Sequence, residues 1–128
     1  MPIIKHNPKD VFPQYKNYSH AIEVSADSRI LFISGLNGYE IDGETMPETF
    51  TEQADVVWGH IGAILKSAGM DYKNIVSLRT YLSNPECREE NIQTSMKYLG
   101  SNEPSWTVIC CQLLESKWKL EVEAVAAI

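Results

Sequence analysis

Two carboxylates stand close together near the end of the chain, where they could carry acid–base chemistry. Glu121 and Glu123 lie two residues apart inside an otherwise apolar run, residues 119–128. On a β-strand, residues two apart point to the same face, so the two carboxylates would share one surface. A sheltered carboxylate can orient a water molecule and accept its proton. The plainer interpretation, two solvated strand residues, stays open at this point.

A tryptophan marks the entry to the preceding apolar run. Pro104-Ser105-Trp106 leads into residues 107–114, which end before a polar stretch at 115–117. An indole at the mouth of a strand either fills the core or forms the flat wall of a pocket. The sequence alone leaves both interpretations of Trp106 open.

The remaining reactive side chains form no metal or cofactor motif. Cys87, Cys110 and Cys111 have neither Cys-x-x-Cys nor zinc-site spacing. Ser34 has no histidine or aspartate placed beside it by the sequence, so we do not predict a nucleophile there. We therefore predict no metal site.

Length, charge and hydropathy limit the function classes. The 128 residues fit one domain, 1–128. A formal net charge of −6 without a basic stretch argues against a nucleic-acid partner. The sequence has no stretch of about eighteen apolar residues, the length that would predict a membrane span. An odd cysteine count and no apolar leader favour a cytoplasmic location.

The period-two apolar runs predict five strands. Residues 107–114 and 119–128 read as an antiparallel pair. Residues 20–25 and 29–34 read as a hairpin, with the second strand buried on both faces because it is continuously apolar. Residues 75–82 form the remaining strand, and residues 1–17 form a short extended segment followed by loop.

Two helices carry clear end signals. Thr49 begins a capping-box pattern with Glu52, and the apolar spacing continues to about Ala68, with Gly69 as the stop signal. The second helix begins at Asn84-Pro85 and ends at Gly100.

The order β-β-α-β-α-β-β predicts an α+β fold, with a mixed sheet and two helices on one face. By alternation, the other face would carry apolar side chains: Trp106, Val108, Cys110, Val125 and Ala127. An uncovered apolar sheet face is unfavourable in water. We therefore predict that further copies of the chain cover it.

Several stretches together resemble the YjgF/RidA family, the small reactive-intermediate deaminases also known as UK114-like or L-PSP endoribonuclease proteins. The resemblance extends over nearly the whole chain from Tyr18 onward. It rests on LFISG at 31–35, EQA at 52–54, IGAILKSAG at 61–69 and LEVEAVA at 120–126.

The resemblance implies a chorismate-mutase-like fold and a homotrimer with clefts between subunits. It also implies cofactor-independent hydrolysis of imines or enamines to 2-keto acids and ammonia. Carried over by position, Glu121 matches the carboxylate that orients water, and Tyr18 matches a cleft tyrosine. Ser34 and Gly35 match the strand end beside the cleft.

The sequence departs from the family pattern where relatives bind the substrate carboxylate. Trp106 stands where the family has an arginine, and an indole offers no charge. Leu36 replaces the usual polar residue after Ser-Gly. Arg79 is a candidate replacement cation. Asn91 matches a family asparagine in an uncertain register.

Three functions follow from these observations. The first is a RidA-like protein that acts on a small unsaturated metabolite in an intersubunit cleft, by imine or enamine hydrolysis with Glu121 orienting water. Its substrate-binding residues would be Tyr18, Ser34, Gly35, Leu36, Trp106 and Arg79. The second is a non-catalytic ligand-binding or regulatory trimer. The third is an endoribonuclease or translation inhibitor, which the net acidity disfavours.

Overall fold

The computed structural model describes residues 3–128, which form six strands and two α-helices. Their order along the chain is β1 (Ile3–His6), β2 (Ala21–Val24), β3 (Ile30–Leu36), α1 (Phe50–Ser67), β4 (Ile75–Leu82), α2 (Arg88–Leu99), β5 (Ser105–Cys110) and β6 (Leu120–Ala127). Short 3₁₀ turns precede β4 and α2. The predicted α+β class is confirmed.

Four strands form a mixed main sheet in the order β3-β6-β4-β5. β5 runs parallel to β4, whereas β6 is antiparallel to both β3 and β4. The predicted antiparallel pairing of the last two strands is therefore wrong. Because α2 carries the chain back across the sheet, β5 returns parallel to β4 at its outer edge, and β6 takes the place between β3 and β4.

The predicted hairpin between the first two full strands is also wrong. β2 pairs with β1 in a separate two-stranded sheet, and β3 pairs with β6. The turn after β2, in which the Ser28 backbone N–H donates to the Ser25 carbonyl, redirects the chain to the main sheet. The extended segment predicted near the start thus becomes the partner strand of β2.

Three of the four helix ends lie where the sequence signals predicted them, whereas α2 begins at Arg88 and not at Asn84-Pro85. The Thr49 hydroxyl accepts a hydrogen bond from the Glu52 backbone N–H, and Gly69 follows α1 with φ of 72°. The Asn84 side chain caps the 3₁₀ turn Pro85–Cys87, and α2 proper begins after it. Gly100 ends α2 with φ of 60°, a left-handed conformation that glycine adopts without steric cost.

The core lies between the helices and one face of the main sheet. It includes Trp58 of α1, Leu78 of β4 and Val122 of β6, each at most 1 % exposed. The other face, which we call the open face, has no covering element among the described residues. Phe32 on that face is 78 % exposed in the single chain, so the prediction that its strand is buried on both faces is wrong for one copy.

The predicted open-face position of Trp106, Val108 and Cys110 is wrong. Trp106 is in register with Leu78, Val108 with Thr80, and Cys110 with Leu82. Residues opposite each other in a ladder project to the same face, and the side chain of Leu78 is buried toward the helices. Val125 does share the open face with Phe32, its partner in register. Ala127, two residues after Val125 and in register with Ile30, lies on the same face, but its side chain is buried.

Candidate functional site

A cavity of about 380 Å³ lies where β5, the beginning of α2 and residues 15–18 meet. We call it the edge cavity, because β5 is the outer strand of the main sheet. Its walls are mostly apolar or aromatic, with two cations and one amide: Tyr15, Lys16, Tyr18, Leu82, Pro85, Arg88, Asn91, Ile92, Trp106, Val108, Ile109 and Cys110. The volume lies within the about 300–1,000 Å³ typical of small-molecule sites.

Trp106 presents its ring, but not its donor, to the edge cavity. The Nε1–H group donates to the Thr80 hydroxyl at 3.1 Å, and Thr80 is 1 % exposed. The indole is partly buried against the core cluster. Trp106 is therefore both of the things that the sequence left open, a core contact and a pocket wall.

Tyr18 reaches the edge cavity because its neighbour Ser19 is fastened to the start of β5. The Ser19 backbone N–H donates to the Pro104 carbonyl at 2.9 Å, and its hydroxyl donates to the Glu103 carbonyl at 2.6 Å. A short parallel bridge joins Ser19 to Ser105. These bonds bring a segment from near the start of the chain to the outer strand.

The helix side of the edge cavity is polar. The guanidinium of Arg88 lies 4.6 Å from the centre of the Tyr15 ring, a cation–π distance. Asn91 is 1 % exposed, and its Oδ1 accepts from the Ser95 hydroxyl at 3.5 Å. Its Nδ2 group has no hydrogen-bond partner within residues 3–128.

The open face carries both carboxylates that the sequence singled out, but their partners differ. Arg79 Nη1 donates to Glu123 Oε1 at 3.4 Å, and the Tyr81 hydroxyl donates to Glu123 Oε2 at 3.1 Å. The second bond raises the pKa of Tyr81, because the phenol is stabilised in its protonated form. Glu123 is thus engaged by two side chains of β4.

Glu121 has a looser environment. Its Oε1 accepts one long hydrogen bond, 3.4 Å, from Asn37 Nδ2, and no cation pairs with it among the described residues. The carboxylate packs directly against Gly35, where any added Cβ would collide with Oε2. An alanine at position 35 would therefore force the Glu121 carboxylate to move.

The other two residues of the β3 end are divided between two environments. Ser34 is exposed and, with Gly35, lies in an irregular step of the β3–β6 register. Leu36 is in register with Val122 and packs against the core. Leu36 is therefore on the helix side of the sheet, away from Glu121.

The structure separates the predicted site residues into two groups. Tyr18 and Trp106 line the edge cavity, together with Asn91. Glu121, Gly35 and Arg79 belong to the open face, on the opposite side of the sheet, as the β4–β6 register and the contacts above require. One copy of the chain does not bring the two groups together.

Sequence reasoning missed the cations of the edge cavity, Lys16 and Arg88. The signal that was available is the spacing of Arg88, Asn91 and Ile92, because residues three and four apart share a helix face. All three line the cavity.

The described residues contain neither a metal-binding cluster nor a membrane-spanning helix. No group of three or more His, Cys, Asp or Glu side chains within residues 3–128 is arranged to hold a metal ion. Neither helix of that part of the chain is both long and apolar enough to cross a membrane. Burial raises the pKa of the Cys87 thiol, which lowers its thiolate fraction.

Comparison with known proteins places this fold and sequence in one family. Residues 9–128 match the family described as Endoribonuclease L-PSP. A RutC family protein of Aquifex aeolicus is 30% identical over 111 residues, 85% of this chain and 86% of that protein.

The chain belongs to the YjgF/RidA family.

Two further family members are similar to this chain, one named as a deaminase and one of unknown function. The 2-iminobutanoate/2-iminopropanoate deaminase of Homo sapiens is 29% identical over 110 residues, 85% of this chain and 78% of that protein. YyfB from Yersinia pestis, a protein of unknown function of the conserved Rid family, has a TM-score of 0.88 at 27% identity, with complete coverage of both chains. The predicted YjgF/RidA fold, which is chorismate-mutase-like, is thereby confirmed.

Proposed function

We propose that this YjgF/RidA protein hydrolyses the C=N bond of a small imine, or of an enamine after its tautomerisation to the imine, without a cofactor, in a cleft between subunits of a homotrimer. Several relatives carry the name 2-iminobutanoate/2-iminopropanoate deaminase, which supports a reaction of this class. The observation that carries the proposal is the contrast between the two carboxylates. Glu123 is engaged by Arg79 and Tyr81, whereas Glu121 keeps an oxygen available for water.

Glu121 would act as the general base. It accepts a proton from water as the water oxygen forms a bond to the imine carbon, and the π electrons of the C=N bond move to nitrogen. Proton transfer to that nitrogen gives a carbinolamine. The hydroxyl group of the carbinolamine then passes its proton to the nitrogen as the C=O bond forms and the C–N bond breaks. The products are a carbonyl compound and ammonia, so one water is consumed for each imine.

The need for a second copy follows from the position of the two residue groups. The edge cavity and Glu121 lie on opposite sides of one sheet, so a ligand in the cavity would meet Glu121 only from a neighbouring subunit. Exposed apolar side chains support such an assembly, because Phe32 is 78 % and Ile109 is 46 % exposed in the single chain. A cytoplasmic location accords with the three free cysteines and stays a prediction.

The experiment measures ammonia release from 2-iminopropanoate generated in situ. We expect Glu121→Gln to lower kcat by at least about 100-fold, the usual worth of a general base. Glu123→Gln is the matched control, since it changes the neighbouring carboxylate on the same face, and it should retain most activity. Equal rates for wild type, Glu121→Gln and the reaction without protein would exclude this deamination.

A second function, non-catalytic binding of a small ligand, is favoured by one observation. The Trp106 Nε1–H group, the only donor of that side chain, is satisfied by Thr80, so Trp106 cannot take the role of the arginine that the family resemblance implies at this position. Saturable binding of a 2-keto acid without any ammonia release from 2-iminopropanoate would support this function over catalysis.

A further inference from the structure

The edge cavity has a charge opposite to that of the chain. The protein has a formal net charge of −6, yet the cavity is lined by Lys16 and Arg88, and no carboxylate of the described residues lines it. A small apolar space with two cations at its rim attracts an anion. The volume of about 380 Å³ restricts that anion to a small molecule.

Of the two cations that line the cavity, Arg88 has the planar guanidinium that can bind a carboxylate through two parallel hydrogen bonds. No carboxylate within residues 3–128 forms an ion pair with its guanidinium. Contact with the Tyr15 ring holds the guanidinium at the cavity. Arg79, the replacement cation expected from the sequence, is engaged by Glu123 on the open face instead.

A second donor lies next to Arg88 on the same side of α2. Asn91 is three residues further along the helix, so the two side chains are neighbours on one face. Its Nδ2 group is buried and unpaired within the described chain. Buried donors are almost always hydrogen-bonded in native proteins. Because Asn91 lines the cavity, a modest turn of its side chain would let an acceptor on a ligand satisfy Nδ2.

The opposite wall is flat and apolar. Trp106 offers only its ring, because its N–H donates to Thr80, and Tyr18 lies on the same cavity. Flat aromatic walls favour a planar ligand body.

We propose that the edge cavity binds a planar carboxylate, most simply an aromatic one, through Arg88 and Asn91 Nδ2, with the body of the ligand against Trp106 and Tyr18. Arg88 thereby supplies from α2 the charge that Trp106 cannot supply from β5. The proposal rests on the proposed function in treating this cavity as the ligand-binding half of the cleft. It deepens that function by naming the class of substrate.

The test compares benzoate with benzamide, which has the same shape without the charge, by isothermal titration calorimetry. Wild type should bind benzoate at least about tenfold more tightly than benzamide, since a bidentate charged hydrogen bond is lost with the amide. Arg88→Gln should remove that preference. Arg29→Gln is the matched control, because Arg29 donates to the Ala68 carbonyl after α1, and it should keep the preference.

A further readout follows Asn91 directly. In a ¹H–¹⁵N spectrum, the Asn91 side-chain amide should shift on addition of benzoate to wild type, and not on addition to Arg88→Gln. The proposal is overturned if wild type binds neither probe, if it binds both equally, or if Arg88→Gln retains the preference. A loss of preference in Arg79→Gln but not in Arg88→Gln would overturn it in favour of the open face.

The outcome separates this inference from the proposed deamination. Binding of benzoate that depends on Arg88, in a protein that releases no ammonia from 2-iminopropanoate or an aromatic imino acid, would leave the inference standing and the deaminase proposal refuted. Ammonia release that depends on Glu121 but is unchanged in Arg88→Gln would do the reverse.

Discussion

The edge cavity and the open face carry complementary chemistry on opposite sides of one sheet. The cavity offers cations, an unpaired amide donor and aromatic walls, which are suited to hold an anionic, planar molecule. The open face offers a carboxylate and a glycine packed against it, which are suited to hold water. Each region contains what the other lacks.

That difference explains why a single copy looks incomplete. A small ligand in the edge cavity is separated from Glu121 by the sheet itself, and the open face exposes apolar residues such as Phe32. The proposed assembly of identical copies would cover the apolar residues and bring a cavity and a carboxylate together, because each copy has one of each region to contribute. In this interpretation, one subunit binds the ligand in its edge cavity, and the neighbouring subunit supplies Glu121 to activate water in the same cleft.

The largest expected effect comes from charging the open face. Phe32→Glu would place a carboxylate in the surface that we propose to be the subunit interface, where burial of an unpaired charge is strongly unfavourable. We expect the trimer to dissociate in sedimentation velocity, and ammonia release to fall by at least about 100-fold because each cleft loses its base.

Phe12→Glu is the control for that change. Phe12 is 71 % exposed but lies outside the main sheet, beside His20, so its variant should remain trimeric and active. A wild-type protein that sediments as a monomer, or a Phe32→Glu protein that remains trimeric, would contradict the interface.

Gly35→Ala should damage the open face and leave the edge cavity intact. The added Cβ collides with the Glu121 carboxylate, and displacement of a catalytic group by about 1 Å costs about 10- to 100-fold in rate. We expect kcat to fall by that factor with unchanged affinity for benzoate. Gly59→Ala serves as control, since a Cβ there meets no atom within 4 Å, and an equal loss in both variants would argue against the contact.

Mixing two inactive variants tests whether the regions meet across subunits. Arg88→Gln subunits retain Glu121, and Glu121→Gln subunits retain an intact edge cavity. If each cleft takes its cavity from one copy and its carboxylate from the next, random mixed trimers regain about a quarter of wild-type activity, because half of each contribution is intact. Activity that stays at the level of the separate variants after unfolding and joint refolding would place both groups in one chain.

The sequence predicted the locally encoded parts of this fold well. The Thr49 cap and Gly69 limit α1 within one residue of the predicted ends, and β4 has the predicted bounds Ile75–Leu82, because caps and apolar alternation act over a few residues. Strand partners depend instead on how the chain returns after a helix or a turn. The prediction from sequence therefore paired β5 with β6, and it placed Trp106 on the wrong face because it relied on alternation along the strand.

The candidate site shows the same difference between residues that the sequence indicates and residues that only the fold brings together. Glu121 and Gly35 are close because β3 and β6 are neighbours, and the family resemblance already named both. Arg88 escaped notice because it looks like an ordinary exposed residue in the first turn of a helix. Its significance depends on residues 15–18, which reach the cavity through the bridge between Ser19 and Ser105, a contact that no local pattern encodes.

The smallest expected effect concerns the support of the edge cavity by α1. Lys97 Nζ and the Tyr98 hydroxyl of α2 both donate to Asp55 Oδ1, at 2.8 and 2.7 Å. Partial burial would raise the pKa of Asp55, but these two hydrogen bonds outweigh it and lower that pKa. Burial and the same carboxylate raise the pKa of Tyr98 to about 12.

Asp55→Asn should therefore lower the free energy of unfolding by about 1 kcal/mol at pH 7, a modest value because the ion pair is largely exposed. A carboxyl group with a depressed folded-state pKa contributes stability above its ordinary pKa of 3.8, and this contribution is lost as the pH falls through the folded-state value. The difference between wild type and variant in urea unfolding should thus persist at pH 5 and shrink below about pH 4. Asp10→Asn, at an exposed position without a hydrogen-bonding partner among the described residues, should show no such trend, and a difference for Asp55→Asn that does not change with pH would remove the carboxylate from the contact between α1 and α2.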